Sequence, residues 1–196
     1  MSIYIHNWPL LISNFFLGKI INNRRRDLDF LCLNPEPEQE KGLNFIKCLK
    51  TSKTTELLDK LVEDKEFGNW RSWEFTIEIG GGGCVKLNAL HVAIIMQNEP
   101  VTSHMLNQGN PTSIAMAKVQ RFATQNSSPD NRKDDDWIYG ATVMHLAARF
   151  KHQCLSKLNE VDNEHLGNFL INNQDNEMQF SPLHVTAFAE LHIGTR

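Results

Sequence analysis

The 196-residue sequence lacks closely spaced cysteines, a large net charge and a long uninterrupted apolar run. Cys32, Cys48, Cys84 and Cys154 form no CxxC pair, so their spacing indicates neither a zinc site nor a disulfide framework. Free thiols are typical of a reducing compartment, which predicts a cytoplasmic protein. The net charge of −3 provides no general attraction to nucleic acid, so no nucleic-acid partner is expected.

Motifs for nucleotide, metal or acyl-transfer chemistry are also missing. The stretch GGGGCVK (80–86) superficially resembles a phosphate-binding loop, but that loop ends in Gly-Lys-Ser/Thr. Here Val85 precedes Lys86 and Leu87 follows it, so the glycine and the magnesium-binding hydroxyl are both absent. The acidic run 134–136 lies beside two basic residues, which is typical of a solvated loop, and no G-x-S-x-G motif occurs. The sequence therefore predicts a non-enzyme with no cofactor, no metal site and no small-molecule substrate.

An apolar segment near the N-terminus, WPLLISNFFLGKII (8–21), is followed by Arg24, Arg25 and Arg26. In a secretory signal the positive charges come before the apolar run, so this order is the wrong one. The segment is also interrupted and shorter than the ~20 residues that span a bilayer. Two interpretations remain: a helix that packs on the main domain, which we favour, or an interfacial helix over 8–26 that the arginines hold on an anionic membrane.

The first half of the chain divides into three parts. Residues 1–41 form an N-terminal extension whose end, NPEPEQEK (34–41), is an acidic, proline-containing linker. Apolar residues recur at three- and four-residue steps over 43–67, which predicts helix. The alternation in WRSWEFTIEI (70–79) favours a short strand or extended segment, and the glycines at 80–83 mark a flexible break.

Three blocks in the second half share a Leu/Met-His pattern in register. In each block an apolar residue and at least one alanine follow the histidine. Such self-similarity indicates helical pairs that bury their apolar faces only against their neighbours. The blocks are NALHVAIIMQNEPVTSHMLNQG (88–109), TVMHLAARFKHQCLSKLNE (142–160) and SPLHVTAFAELHIG (181–194).

These blocks resemble the ankyrin repeat, whose pattern runs roughly G-x-T-P-L-H-L-A-A-x-x-G-H before an outer helix. The third block carries Ser-Pro-Leu-His (181–184), and the second carries Gly140, Thr142 and the run His-Leu-Ala-Ala (145–148). The match covers 84–196 as about three irregular repeats. The resemblance implies an all-α fold, an ankyrin-type helical repeat solenoid with short hairpin connections and a helical N-terminal extension. Residues 42–83 would then be a helical segment with a glycine-rich break, in the place where a degenerate capping repeat is expected.

The spacing of the three histidines departs from the period of the ankyrin family. His91 and His145 lie 54 positions apart, and His145 and His184 lie 39 apart, whereas the usual period is about 33. The excess residues fall mainly in an insert, 110–136. The first half of this insert predicts a short helix with Ala115, Val119, Phe122 and Ala123 on one side. Its polar second half predicts a mobile loop. Only 12 residues follow His184, so the last repeat looks truncated and leaves Val185, Phe188 and Leu191 without cover. We expect a fragment or truncated isoform rather than a complete array.

His91, His145 and His184 occupy equivalent repeat positions. Packed helices lie ~10 Å apart, so three successive imidazoles cannot share one zinc ion. The resemblance implies instead that each histidine has a structural role, in which the ring hydrogen-bonds to the backbone near a hairpin.

The resemblance also implies where a protein partner would bind, namely the hairpin tips and the exposed positions after the inner-helix alanines. This set is rich in aromatic residues and contains an arginine, as binding hot spots are. The candidate partner-binding residues are Trp137, Ile138, Tyr139, Arg149, Phe150, Phe180 and Phe188, with Ala141, Asn176, Glu177, Ile95 and Met96 at equivalent places. The N-terminal helices or the insert could instead cover the same surface.

Together these features predict a non-enzymatic protein–protein interaction module, a scaffold or adaptor. One alternative is a fragment of the cytosolic ankyrin region of a larger membrane protein such as an ion channel. Another, an enzyme with a repeat appendage, would require chemistry in residues 1–83, where no motif for it occurs.

Overall fold

The computed structural model describes residues 29–51, 54–62, 69–79, 83–108, 111–122, 138–150, 152–174 and 179–191. A 3-10 turn (Trp70–Ser72) precedes the second strand, and a π-helical turn (Asp162–Leu166) follows the seventh helix. In chain order the elements are β1 (Phe30–Cys32), α1 (Glu38–Lys50), α2 (Thr54–Val62), β2 (Glu74–Ile79), β3 (Gly83–Asn88), α3 (Ala89–Ile95), α4 (Glu99–Asn107), α5 (Thr112–Met116), β4 (Gln120–Phe122), α6 (Val143–Arg149), α7 (Leu155–Val161), α8 (Phe169–Asn172) and α9 (Pro182–Leu191).

The all-α prediction is wrong, because the described residues include a four-stranded antiparallel sheet in the order β1-β2-β3-β4. The fold is therefore mixed α and β rather than an all-α solenoid. The centre of the sheet is the β2–β3 hairpin, in which Phe75 pairs with Leu87 and Ile77 with Val85. These four side chains are buried because alternate residues of both strands point to the same face of the sheet.

The sheet is larger than the alternation in 70–79 predicted, because its edge strands β1 and β4 give no comparable sequence signal. β1 and β4 have three residues each, too few for a period of two to be recognised. β4 also lies inside the insert, where a short helix with Val119, Phe122 and Ala123 on one side was predicted. That helix is confined to Thr112–Met116, and Val119 then pairs with the turn before α6: its N–H donates to the Ala141 carbonyl at 2.9 Å and its own carbonyl accepts from Gly140 at 2.8 Å.

The helices lie in two rows. α3, α6 and α9 contact one another in succession, and α2, α4 and α7 form a second row beside them. α1 packs against β1 and α2. It begins at Glu38, inside the predicted linker, because Glu38 and Glu40 place negative charge at the positive end of the helix dipole. One apolar cluster runs through the sheet, the second row, and α3 and α6 of the first row, so these helices share their core with the sheet.

After α7 the chain is ordered by a buried carboxylate. Asp162 has no exposed surface, and its two carboxylate oxygens accept hydrogen bonds from the backbone N–H groups of Leu170 (2.7 Å) and Ile171 (2.8 Å). These bonds satisfy the free donors at the start of α8. Other predictions, namely the N-terminal helix, the membrane contact over 8–26 and the mobile half of the insert, fall outside the described residues.

Candidate interaction surface

The three repeated histidines lie at the same position, three residues after the N-cap of an inner-row helix. In each case the backbone N–H of the cap residue donates to Nδ1 of the histidine, which takes the place that glutamate holds in a capping box. Because Nδ1 accepts a hydrogen bond, the proton of the neutral ring is assigned to Nε2. The three pairs are Asn88–His91 at 3.2 Å, Thr142–His145 at 3.1 Å and Ser181–His184 at 3.1 Å.

The buried histidines differ at Nε2. In His145 this nitrogen donates to the carbonyl of Phe180 at 2.8 Å, which ties α6 to the turn before α9. The pKa of His145 is lowered, chiefly because burial disfavours the imidazolium ion. Burial lowers the pKa of His91 to about 4. The carbonyl of Ala117 favours the protonated ring, but no hydrogen bond of standard geometry joins this carbonyl to Nε2 of His91.

His184, in contrast, is exposed. Its ring stacks on Phe180 with 5.9 Å between ring centroids and 26° between planes. Within the described part of the chain, Nε2 of His184 meets no acceptor of the kind that Phe180 provides for His145. The third histidine thus caps its helix but makes no hydrogen bond to a following element.

Two apolar positions beside His184 are exposed as well. Leu183 is 74% exposed, and Ala187 follows it one helical turn later. We call Leu183, His184 and Ala187 the α9 face.

The same positions are covered in the other inner-row helices. Leu183 and Ala187 correspond to Leu90 and Ile94 of α3 and to Met144 and Ala148 of α6, counted from the cap residue. All four of those side chains are at most 2% exposed. In α3 and α6 the next helix of the row packs alongside, whereas α9 has no such neighbour among the described elements.

Several predicted partner-binding residues lie in the core. Ile138, Tyr139 and Phe150 are 3%, 7% and 5% exposed, and Arg149 is buried enough to lower the pKa of its guanidinium to about 10. A partner could therefore reach little of these side chains. The positions Ala141 and Ile95 are buried too.

The insert, one of the two alternatives that the sequence left open, contacts the hairpin at 138–141, whereas the other alternative, the N-terminal helices, falls outside the described residues. Val119 is paired with the turn at Gly140 and Ala141, and the guanidinium of Arg121 lies 4.3 Å from the ring centroid of Tyr139. Trp137, Asn176, Glu177 and the side chain of Phe188 fall outside the described residues. Phe180 is half-buried at the edge of the α9 face, and Met96 is half-buried against the core.

Sequence reasoning missed Leu183 and Ala187, because it expected Val185 to need cover. Val185 is 3% exposed, so it faces inward. The signal was the repeat register itself: aligned with Leu90 and Met144, Leu183 belongs to a position that is buried in both earlier blocks.

Among the described residues, the other reactive groups do not assemble into a site. The thiols of Cys32 and Cys154 are buried, and burial raises the pKa of each, which disfavours the nucleophilic thiolate. The part of the chain that the structure describes contains no group of three or more metal-ligating side chains. None of its helices is both long enough and apolar enough to cross a bilayer.

Comparison with known proteins adds no relative to these observations. No family model matches the chain, and searches of curated proteins and of solved structures found no match. The α9 face therefore has to be interpreted from its own chemistry.

Proposed function

We propose that this chain is a non-enzymatic, cytoplasmic protein-binding module whose contact surface is the α9 face. The observation that carries the proposal is the exposure of Leu183 and Ala187 at positions that are buried in α3 and α6. A single exposed leucine is ordinary on a protein surface. Here the exposed leucine lies on a face of α9 whose equivalent positions in α3 and α6 are both buried.

The chemistry of the face suits a protein partner. Leu183 would lose most of its exposed apolar surface on binding, which is worth roughly 1.5–3 kcal/mol for a fully buried leucine. Nε2 of His184 can donate to a backbone carbonyl, as Nε2 of His145 donates to Phe180. An apolar contact beside one oriented hydrogen bond is the usual composition of an interface centre and its rim.

A cytoplasmic location is supported by the state of the thiols. All four cysteines are free, and three of them are buried. Free buried thiols are typical of reducing compartments.

Site-directed photo-crosslinking tests the proposal. A photoreactive amino acid at position 183 of the full chain, in cells that express it, should give discrete protein adducts. The matched control is position 43, because Leu43 is also a helical leucine with substantial exposure, 43%, and lies on α1. The protein identified by mass spectrometry is then purified and its affinity measured by calorimetry.

Leu183→Asp should weaken that binding at least tenfold, about 1.4 kcal/mol, because it places a charge in an apolar contact. Leu43→Asp should leave the affinity unchanged. Adducts that form equally at both positions, or an unaltered affinity of Leu183→Asp, would refute the α9 face as the contact surface.

A further inference from the structure

The continuous apolar core of this protein ends at α6. The cluster that joins the sheet, the second row, α3 and α6 contains no described residue of α9. Ala148 of α6 and Val185 of α9 are buried, at 2% and 3% exposure, yet both lie outside this cluster. α9 is therefore held on α6 by a separate contact rather than by the common core.

The separate contact of α9 is narrow. Among the described elements, α9 packs on α6 and to a lesser extent on α8. Leu183, His184 and Ala187 are exposed, so they contribute little to this packing. Segments with few buried apolar contacts open at a lower free energy than the core of the same protein. We therefore expect α9 to separate from α6 before the sheet and α3 unfold.

The surface of α6 beneath α9 carries a hydrogen-bond donor whose direction is fixed within α6. The N–H of Thr142 donates to Nδ1 of His145 at 3.1 Å, and neither residue has exposed surface. Nε2 of the same ring donates to the carbonyl of Phe180, the residue before the N-cap of α9, at 2.8 Å. Because the cap of α6 orients the ring, Nε2 keeps this direction when α9 leaves.

We propose that α6 carries a helix-docking site and that α9 is its releasable cover. α9 opens as one unit while the sheet and the other helices stay folded. The uncovered site binds a helix of another protein that presents what α9 presents. Such a helix has an apolar residue four positions after its N-cap, as Val185 is, and a backbone carbonyl one position before the cap, as Phe180 supplies. The inference goes beyond the proposed function, because the side of α9 that contacts α6 is not the α9 face.

Hydrogen exchange of the unmodified full chain, followed by NMR, tests whether α9 opens separately. The amide of Val185, which donates to the carbonyl of Ser181, should exchange at least about a hundredfold faster than the hydrogen-bonded amides of α3. Its exchange should also depend little on urea concentration, because the opening of one helix exposes little surface. Equal protection with the same dependence on urea would overturn the inference, since α9 would then open only when the whole protein unfolds.

A peptide that corresponds to residues 179–191 tests the docking site. Val185→Asp in the full chain places a charge in the contact with α6 and should release α9, so that the labelled peptide binds in its place. The unmodified chain should bind the peptide at least about tenfold more weakly, because a closed cover lowers the apparent affinity by the open fraction. Fluorescence anisotropy measures both affinities.

Two controls make the peptide experiment specific. Leu183→Asp puts the same charge on the exposed side of α9, so this variant should bind the peptide as weakly as the unmodified chain does. A peptide that itself carries Val185→Asp should bind none of the three proteins. Protected amides in α3 show that each variant is folded outside α9.

The outcomes are independent of crosslinking at position 183, so the α9 face is judged separately. A folded Val185→Asp chain that does not bind the peptide overturns the docking site on α6. A Val185→Asp chain that loses the protection of α3 as well overturns α9 as a separate unit, because the helix then belongs to the common core.

Discussion

A histidine can cap a helix and still perform different tasks, depending on what surrounds its second nitrogen. His91 is enclosed by the core, His145 joins two helices of the row, and His184 reaches the surface. The three share the hydrogen bond at Nδ1, so comparing them separates the contribution of the cap from that of burial.

That comparison predicts unequal effects of two otherwise identical substitutions. His145→Ala should lower the free energy of unfolding by about 3 kcal/mol, because it leaves a cavity and removes the donor to the Phe180 carbonyl. His184→Ala is the matched control and should cost about 1 kcal/mol or less, since it removes only exposed contacts, namely the cap hydrogen bond and the stacking on Phe180. Urea unfolding at low protein concentration measures both. Equal losses would mean that the cap, rather than the bond between elements, accounts for the stability.

The residue level also shows what a sequence can and cannot reveal about a site. The three histidines were recognisable because the motif repeats in register. The contact of Tyr139 with Arg121 and the pairing of Gly140 and Ala141 with Val119 were not, because the motif does not specify where the insert pairs. The sequence shows which residues occupy equivalent repeat positions, whereas the burial of each one depends on the elements that pack against it.

At the level of elements, the best-predicted helices are those of the repeated blocks, whereas of the described strands only β2, within 70–79, was predicted. The repeated motif predicted helical pairs where α3, α4, α6 and α7 lie, and apolar steps of three and four residues over 43–67 predicted helix where α1 and α2 lie. β1 and β4 carry no comparable signal, because a three-residue strand is stabilised by the neighbour it pairs with rather than by its own pattern. The sheet therefore depends on tertiary contacts such as the close approach of α1 to β1.

That approach requires a glycine at position 42. A Cβ atom there would lie 2.5 Å from Sγ of Cys32, which is buried on β1. Gly42→Ala should therefore destabilise the protein by roughly 1–3 kcal/mol through overpacking, in spite of the better helix propensity of alanine.

A double-mutant cycle isolates this contact. Cys32→Ala removes Sγ, so in that background Gly42→Ala should be neutral or stabilising by up to about 1 kcal/mol, which is the propensity term alone. Chemical denaturation of the four proteins gives the coupling energy. Additive effects would show that the glycine is required for a reason other than its contact with Cys32.

At the scale of the whole molecule, the continuous core ties stability to pH through two of its buried histidines, His91 and His145. The pKa of His91 is about 4 in the folded protein against an ordinary value of 6.5, and that of His145 is also lowered. Between pH 4 and pH 6.5 the unfolded chain binds more protons than the folded one. The free energy of unfolding therefore falls as the pH falls through this window, and the stabilisation is fully present only above pH 6.5.

Carboxyl groups change the free energy of unfolding in a lower pH range than the histidines do. Hydrogen bonds from Trp73 and then Lys41 lower the pKa of Glu38 below its ordinary 4.5. The stability that this group contributes is present above 4.5 and is lost only as the pH falls further. Measurements above about pH 5 therefore report mainly on the histidines.

Unfolding by urea at about pH 7.5 and about pH 5 should reveal a loss of about 2 kcal/mol from His91 alone, with His145 adding to it. His91→Gln cannot take up a proton, so this variant should be less stable at neutral pH but should lose about 2 kcal/mol less between the two conditions. Titration of the ring by NMR should give a pKa well below 6.5 in the folded protein. An ordinary pKa for His91, or the same pH dependence in the variant, would mean that water reaches the ring and that the core between the sheet and the inner row is open.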